Sequence, residues 1–292
     1  MTSRATVRPA PERPSWFIPD DAVTDWSQEH VAVGGYGEVF TAFYYGSKVA
    51  VKRLHAHFDD DALTYFAREI GVWHRLSHPY ILPLLGACDK DTRGKFIRPF
   101  MVSPFMPNGT LLKYVSDPNN PRSTEEKLRL LYQVAAGVAY LHGNSIIHAD
   151  LKAANVLLDS SFNAVLTDFG LSRTKRTSES AARARTSAFE GGTQGYMAPE
   201  MLDGDEPAGN SKLTDVFAFA VTIYEVINNG KVWITKDNTP MQPFQIGFQI
   251  CSGKRPKRFD GIPDDIWDLI ERCWAQSPSD RPSFAEILVA LQ

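Results

Sequence analysis

Cysteine is scarce in this chain: 3 residues in 292, at Cys88, Cys251 and Cys273. They are too few and too far apart for a disulfide framework or a cysteine-rich zinc site, and the usage fits a reducing, intracellular setting. An excess of charge is missing too. The 34 acidic residues nearly balance 31 basic ones, giving a formal net charge of −3. No general attraction to nucleic acid or to an anionic membrane is therefore expected, and no basic stripe interleaved with aromatics argues otherwise. Long hydrophobic runs are lacking as well. The most apolar run, Phe217–Ile227 (FAFAVTIYEVI), is too short to cross a bilayer and contains Glu225. The opening MTSRATVRPAPERPSWF has no apolar core of the kind a signal peptide needs. A soluble protein is the expectation, with material for one large domain or two closely joined lobes.

What is present changes character along the chain. Residues 1–15 are rich in proline and arginine and should be loosely ordered, up to the aromatic pair Trp16-Phe17, which offers an anchor. From Val31 to Leu54, short β-branched and aromatic runs around glycines predict two hairpins. DDALTYFAREIGVWHRL has helical spacing, whereas ILPLLGACDK and KFIRPFMVS predict strands. Beyond Pro107-Asn108-Gly109 the pattern turns helical. In TEEKLRLLYQVAAGVAYLHGN, the residues Leu128, Leu131, Val134, Ala135, Val138 and Leu141 recur at helical intervals, with Thr124 as a cap and Gly143-Asn144 as a stop. SKLTDVFAFAVTIYEVIN, PDDIWDLIERCWA and SFAEILVAL predict further helices. The predicted class is α+β and bilobal. An N-terminal extension covers 1–28, a small β-rich N-lobe with one main helix 29–103, a hinge 104–109, and a larger, mainly helical C-lobe 110–292, with a ligand cleft at the hinge.

Several polar residues suit phosphate chemistry. The glycines of VGGYGEV (Val33–Val39) would let backbone N–H groups approach phosphate oxygens, although a ligand-free hairpin turn needs glycines too. In VAVK, Ala50 and Lys52 share a face, and Lys52 is either an edge lysine reaching solvent or a buried charge awaiting an anion. Glu69 lies beside the apolar stripe Phe66, Ile70, Trp73, Leu76 and could pair with it; a solvated helical glutamate is the commoner case. HADLKAAN then brings Asp150, Lys152 and Asn155 into one short segment, and Asp168 follows in LTDFGL after a hairpin-like stretch. An aspartate can accept a hydroxyl proton, and a second carboxylate with an amide oxygen can hold Mg²⁺. A lysine can neutralise a transferring phosphoryl group. Each residue alone could be a loop hydrogen-bonder; their joint order is far more specific.

VGGYGEV, VAVK, Glu69, HADLKAAN, DFG, MAPE and CWAQSPSDRP, in that order, resemble a eukaryotic protein kinase over Val31 to Leu291. The resemblance implies transfer of the ATP γ-phosphoryl group, with Mg²⁺ or Mn²⁺, to a serine or threonine hydroxyl of a protein substrate, with autophosphorylation expected. Matched residue by residue, it makes Lys52 the contact to the α- and β-phosphates and the partner of Glu69. Asp150 becomes the hydroxyl-orienting base, Lys152 the γ-phosphate contact, and Asn155 and Asp168 the metal ligands. Gly34 and Gly37 match the phosphate loop, and Val39, Ala50 and Leu157 a purine sandwich. Ser103 matches the gatekeeper position, with the Pro104 carbonyl and the Met106 amide on the adenine edge; the N–H that proline lacks is not needed there. Trp73, Phe169 and His148 match an apolar spine, Asp215 an acceptor that ties down the catalytic loop, and Glu200 with Arg281 a structural ion pair. MVSPFMPNGTLLKYV, DVFAFAVTIYEV and CWAQSPSDRP are similar to the tyrosine-kinase-like branch, and Lys152 with Thr193 to serine/threonine specificity within it. No nucleic-acid or membrane partner is implied, and the oligomeric state is left open.

Two positions depart from the family pattern. Ala32 stands where the first phosphate-loop glycine normally falls, and Ala149 where many kinases carry an arginine that holds a phosphorylated loop. The segment 173–193 offers Thr186 and Ser187 as autophosphorylation sites and Thr193 as a contact to Asp150 and Lys152. The competing reading is a nucleotide-binding pseudokinase that acts as a scaffold or allosteric partner.

Overall fold

The alternation of apolar and polar residues in GEVFTAFY and SKVAVKRL has its counterpart in two long paired strands. The computed structural model describes residues 13–34, 37–54, 60–169, 193–202, 208–235, 237 and 239–292. Among these, the strands β1 (Val23–Thr24), β2 (Ala32–Gly34), β3 (Gly37–Tyr44), β4 (Ser47–Leu54), β5 (Gly86–Lys90) and β6 (Phe96–Pro104) form one antiparallel sheet. Its order is β1-β3-β4-β6-β5, with β2 on β3. The β3–β4 loop is two residues long, with Tyr45 and Gly46 both at positive φ (46° and 75°). That is the turn whose twist suits a hairpin. Gly37 is demanded by packing, because a Cβ there would stand 2.5 Å from the Arg53 carbonyl oxygen.

The period of two sorts the sheet's faces. Val49 and Val51 join Ile18, Val23, Ala42, Cys88, Phe100 and Val102 in a small cluster on one side. Ala50, Lys52 and Leu54 therefore face the other way, and Leu54 packs with Phe66, Ile70 and Trp73 of helix α1 (Asp60–Trp73). The predicted strand ILPLLGACDK is shorter than its apolar run. Pro83 has no N–H for a ladder, pairing in β5 begins at Gly86, and Ile81 instead bridges Leu166.

The larger lobe is built on helices α2 (Leu111–Val115), α3 (Thr124–Gly143), α4 (Lys212–Ile227), α5 (Pro243–Cys251), α6 (Asp264–Cys273) and α7 (Phe284–Ala290). A hairpin of β7 (Val156–Leu158) and β8 (Ala164–Leu166) completes it. The short helices α2 and α5 were not anticipated. The cap of α3 is Ser123 rather than Thr124, its hydroxyl accepting from the Glu126 N–H at 3.1 Å. Helix α4 is apolar nearly all round and almost wholly buried, as expected for a central core helix. Such a helix has no reason to carry carboxylates unless they hold something, and it carries Asp215 and Glu225. Below it, Arg281 meets Glu200 through two parallel bonds of 2.8 Å and also donates to the Ala275 and Leu213 carbonyls. The sequence-predicted ion pair is thus formed, with the Arg281 side chain fully enclosed. Lysine cannot reproduce that planar fork, so Arg281→Lys is expected to lower stability by about 1–3 kcal/mol in denaturant titration.

Cys88 and Cys273 are wholly buried, and burial pushes both thiols up to about 12. The thiolate is the reactive form, so a thiol reagent should titrate about one cysteine rapidly in the native protein, Cys251 being partly exposed. All three should react after denaturation.

Candidate active site

Of the polar residues singled out in the sequence, Lys52, Asp150, Lys152, Asn155 and Asp168 come together where the two lobes meet. Lys52 points from β4 off the sheet, and its ammonium is bonded to Oδ1 of Asp168, just beyond β8 in the other lobe. The Lys52 side chain is only 19% exposed and faces a carboxylate rather than open solvent, and that carboxylate is Asp168, not the Glu69 that the resemblance makes its partner. In the loop before β7, Lys152 Nζ donates to Asp150 Oδ1 at 3.0 Å. Asn155 Nδ2 donates to the Asp150 carbonyl at 2.7 Å and to its Oδ2 at 2.8 Å. The Thr167 N–H donates to the Asn155 carbonyl at 3.1 Å, which fixes Asp168 next to this loop.

Strand register places Val39 opposite Lys52 and Ala50 opposite Ser103. Ser103 is buried, and Met106 and Leu157 pack on the main core. Pro104 ends β6 opposite Val49, and Gly34 and Gly37 are paired where β2 meets β3. Glu69 is half-buried on α1, next to the fully buried Ile70. Gly35, Thr186 and Ser187 lie outside the described residues, as does the side chain of Thr193.

Asp215 holds the segment at His148 and Ala149, just before Asp150, from below. It is 2% exposed and accepts from the His148 N–H at 2.8 Å, the Ala149 N–H at 2.9 Å and the His142 ring at 2.8 Å. Ala149 sits at φ 68° and Asp168 at φ 63°, left-handed conformations that cost a residue with a Cβ about 1 kcal/mol or more. The Asp215 bonds offset that cost at Ala149 and turn the loop so that Asp150 faces Lys152 and Asn155. The aromatic rings continue the link. Phe169 lies 6.2 Å from His148 and 5.4 Å from Trp73, ring centroid to centroid, so the three residues matched to a spine meet edge-on in a row.

Glu225, Tyr196 and His142 were not anticipated. Glu225 Oε2 accepts from the Ala153 N–H at 3.0 Å and Oε1 from the Tyr196 hydroxyl at 2.5 Å. Burial raises the Glu225 carboxyl, partly offset by those two bonds, and pushes the Tyr196 hydroxyl well above its ordinary value. The tyrosine therefore stays a donor. A lone carboxylate in the run Phe217–Ile227 was the signal that could have revealed it.

Among the described residues no group of three or more His, Cys, Asp and Glu is gathered for a metal, and no helix is long and apolar enough to cross a membrane. A Mg²⁺ ion that shares its shell with phosphates and water needs only one or two protein oxygens. The residues fit that requirement. Both hydrogen bonds of the Asn155 amide nitrogen go to Asp150, which leaves the amide oxygen on the opposite arm. With a carboxylate at Asp168, the donor set is of hard oxygen.

The family model described as protein tyrosine and serine/threonine kinase matches residues 27–291. The chain belongs to this kinase family. Its relatives include receptor-interacting serine/threonine-protein kinase 2 of Bos taurus, 35% identical over 84% of this chain and 46% of the relative. Receptor-interacting serine/threonine-protein kinase 3 of Rattus norvegicus is 34% identical over 88% of this chain and 53% of the relative. The probable serine/threonine-protein kinase SIS8 of Arabidopsis thaliana is 33% identical over 90% of this chain and 24% of the relative. The chain thus spans about half, or less, of the length of these relatives. Its kinase domain is related to the serine/threonine kinases of the tyrosine-kinase-like branch.

Proposed function

We propose that the chain transfers the γ-phosphoryl group of Mg·ATP to serine and threonine hydroxyls of protein substrates, its own included. The observation that carries this reading is the bonded set Asp150, Lys152 and Asn155 beside the Lys52–Asp168 pair that bridges the lobes. Asp150 takes the proton of the attacking hydroxyl, and Lys152 offsets negative charge on the phosphoryl oxygens as the new P–O bond forms and the bond to ADP breaks. Asn155 and Asp168 would hold the metal ion, which when bound supplies charge neutralisation at the phosphates. Lys52, held here by Asp168, is assigned to the α- and β-phosphates with Glu69 as its partner in the nucleotide-bound state, and Gly34 and Gly37 to the backbone cradle over them. Val39, Ala50 and Leu157 are assigned to the purine faces, with Ser103, Pro104 and Met106 along its edge. Residues 104–109 serve as the hinge between lobes at 29–103 and 110–292, and 1–28 as the extension.

Ala149 in place of the loop-holding arginine removes the usual latch for a phosphorylated segment. Activity is thus expected to respond weakly to phosphorylation at Thr186 or Ser187, and more strongly in Ala149→Arg. Equal responses in both would refute that account. The function itself is tested by radiolabel transfer from ATP to a generic protein and to the chain, with Mg²⁺ or Mn²⁺, followed by phosphoamino-acid analysis. Label on serine and threonine supports the proposal, label on tyrosine corrects the specificity, and nucleotide binding without transfer establishes the pseudokinase reading.

A further inference from the structure

Residues 16–18 precede the part of the chain that the kinase family model matches, yet they are built into the small lobe. The Ile18 N–H donates to the Ala87 carbonyl and the Ala87 N–H to the Trp16 carbonyl, both at 2.8 Å, so the segment lies as a short parallel partner on the outer edge of β5. Gly86 makes room for it, since a Cβ there would stand 2.5 Å from Ile18 Cγ1 and 2.6 Å from the Trp16 carbonyl oxygen. Arg13 covers the Phe17 ring at 4.7 Å. Trp16 itself is 6% exposed. Its indole meets Phe66 of α1 edge-on at 6.3 Å and rests over Gly71, where an added Cβ would lie 3.7 Å from the indole nitrogen.

Those contacts fall on the helix that carries both Glu69 and Trp73. At its C-terminal end α1 is held by the bond from Trp73 Nε1 to the Leu82 carbonyl at 2.7 Å, and Trp73 in turn touches Phe169. Trp16 adds a second, rigid point of contact on the same helix, seven residues back at Phe66 and at Gly71. We propose that Trp16 is a positioning residue, a wedge between the edge of β5 and α1 that holds α1 in the orientation that sets Trp73 against Phe169. This deepens the kinase reading and rests on it for its catalytic consequence. It makes the segment before the kinase homology a requirement for full activity.

The test uses the full chain with Trp16→Ala, Trp16→Phe and Gly86→Val, the last expelling the segment while leaving Trp16 intact. All are measured below the onset of unfolding. Amide exchange over residues 64–73 is expected to rise about tenfold or more in Trp16→Ala and Gly86→Val, with β3, β4 and β6 unchanged. In the same variants kcat should fall about tenfold or more while KM for the protein substrate moves less than about threefold. Trp16→Phe, which keeps an aromatic edge against Phe66, should recover most of both. Unchanged exchange in α1 overturns the wedge whatever the activity, and raised exchange with kcat within about twofold overturns its coupling to catalysis. A wild-type chain that transfers no phosphate defeats the functional reading instead, and the exchange measurement then decides the wedge by itself.

Discussion

Replacing Asp150 by asparagine is expected to lower phosphate transfer to protein hydroxyls by about 10²–10⁴-fold, with nucleotide binding retained. Two losses coincide. The amide cannot take the hydroxyl proton, and it has one oxygen where the carboxylate had two. Oδ1 now accepts from Lys152 and Oδ2 from Asn155, so in the variant one of these donors loses its acceptor. Lys152 can then swing away from the phosphoryl position, whereas the Asn155 amide nitrogen keeps its second bond, to the Asp150 carbonyl. The side chain is partly exposed, at 23%, so water can replace the missing bond and stability should fall by no more than about 1 kcal/mol. Single-turnover transfer rates, nucleotide titration and a melting curve together check the claim. Unchanged transfer in pure Asp150→Asn protein would remove Asp150 from its assigned role.

The parts of this architecture that were legible in the sequence are those fixed by local periodicity. The repeat of two in β3 and β4 sorted Val49 and Val51 from Ala50 and Lys52, and the repeat of three and four fixed α3, α4, α6 and α7. The order of polar residues around Asp150 and Asp168 pointed to one site, because few other tasks need that set together. Long-range packing was not legible. The pair Trp16-Phe17 read as an anchor at the end of a loose, proline-rich approach, but nothing local to Gly86 announces that Ile18 and the Trp16 carbonyl press on it. Glu225 was noticed in its apolar run only as an obstacle to membrane insertion; its partners Ala153 and Tyr196 are 72 and 29 residues away. The start of β5 at Gly86 was missed for a different reason, since hydrophobicity runs through Ile81–Leu85 while Pro83 interrupts the supply of donors.

Asp215→Ala is expected to be the most damaging single change in the larger lobe, at about 3–5 kcal/mol. The carboxylate is buried and accepts three donors, two of them the backbone N–H groups of His148 and Ala149. Alanine removes the acceptor of all three, and the two buried donors, the His142 ring and the His148 N–H, cost about 1–3 kcal/mol each when that acceptor is lost. It also removes what keeps Ala149 left-handed. The loop should relax toward a common backbone region, and Asp150, the next residue, would leave its place beside Lys152 and Asn155. Displacement of a reacting group by about 1 Å can cost 10²-fold in rate, so transfer should fall even under conditions where the protein remains folded. Asp215→Asn separates the two effects. Its single oxygen can still accept from the backbone while its NH₂ must face the other donors, so an intermediate loss of both stability and rate is expected. Thermal melts paired with transfer rates at a temperature below both transitions provide the check. A variant that melts like the wild type, or one that is destabilised yet transfers phosphate normally, would show that the loop is held by something other than this carboxylate.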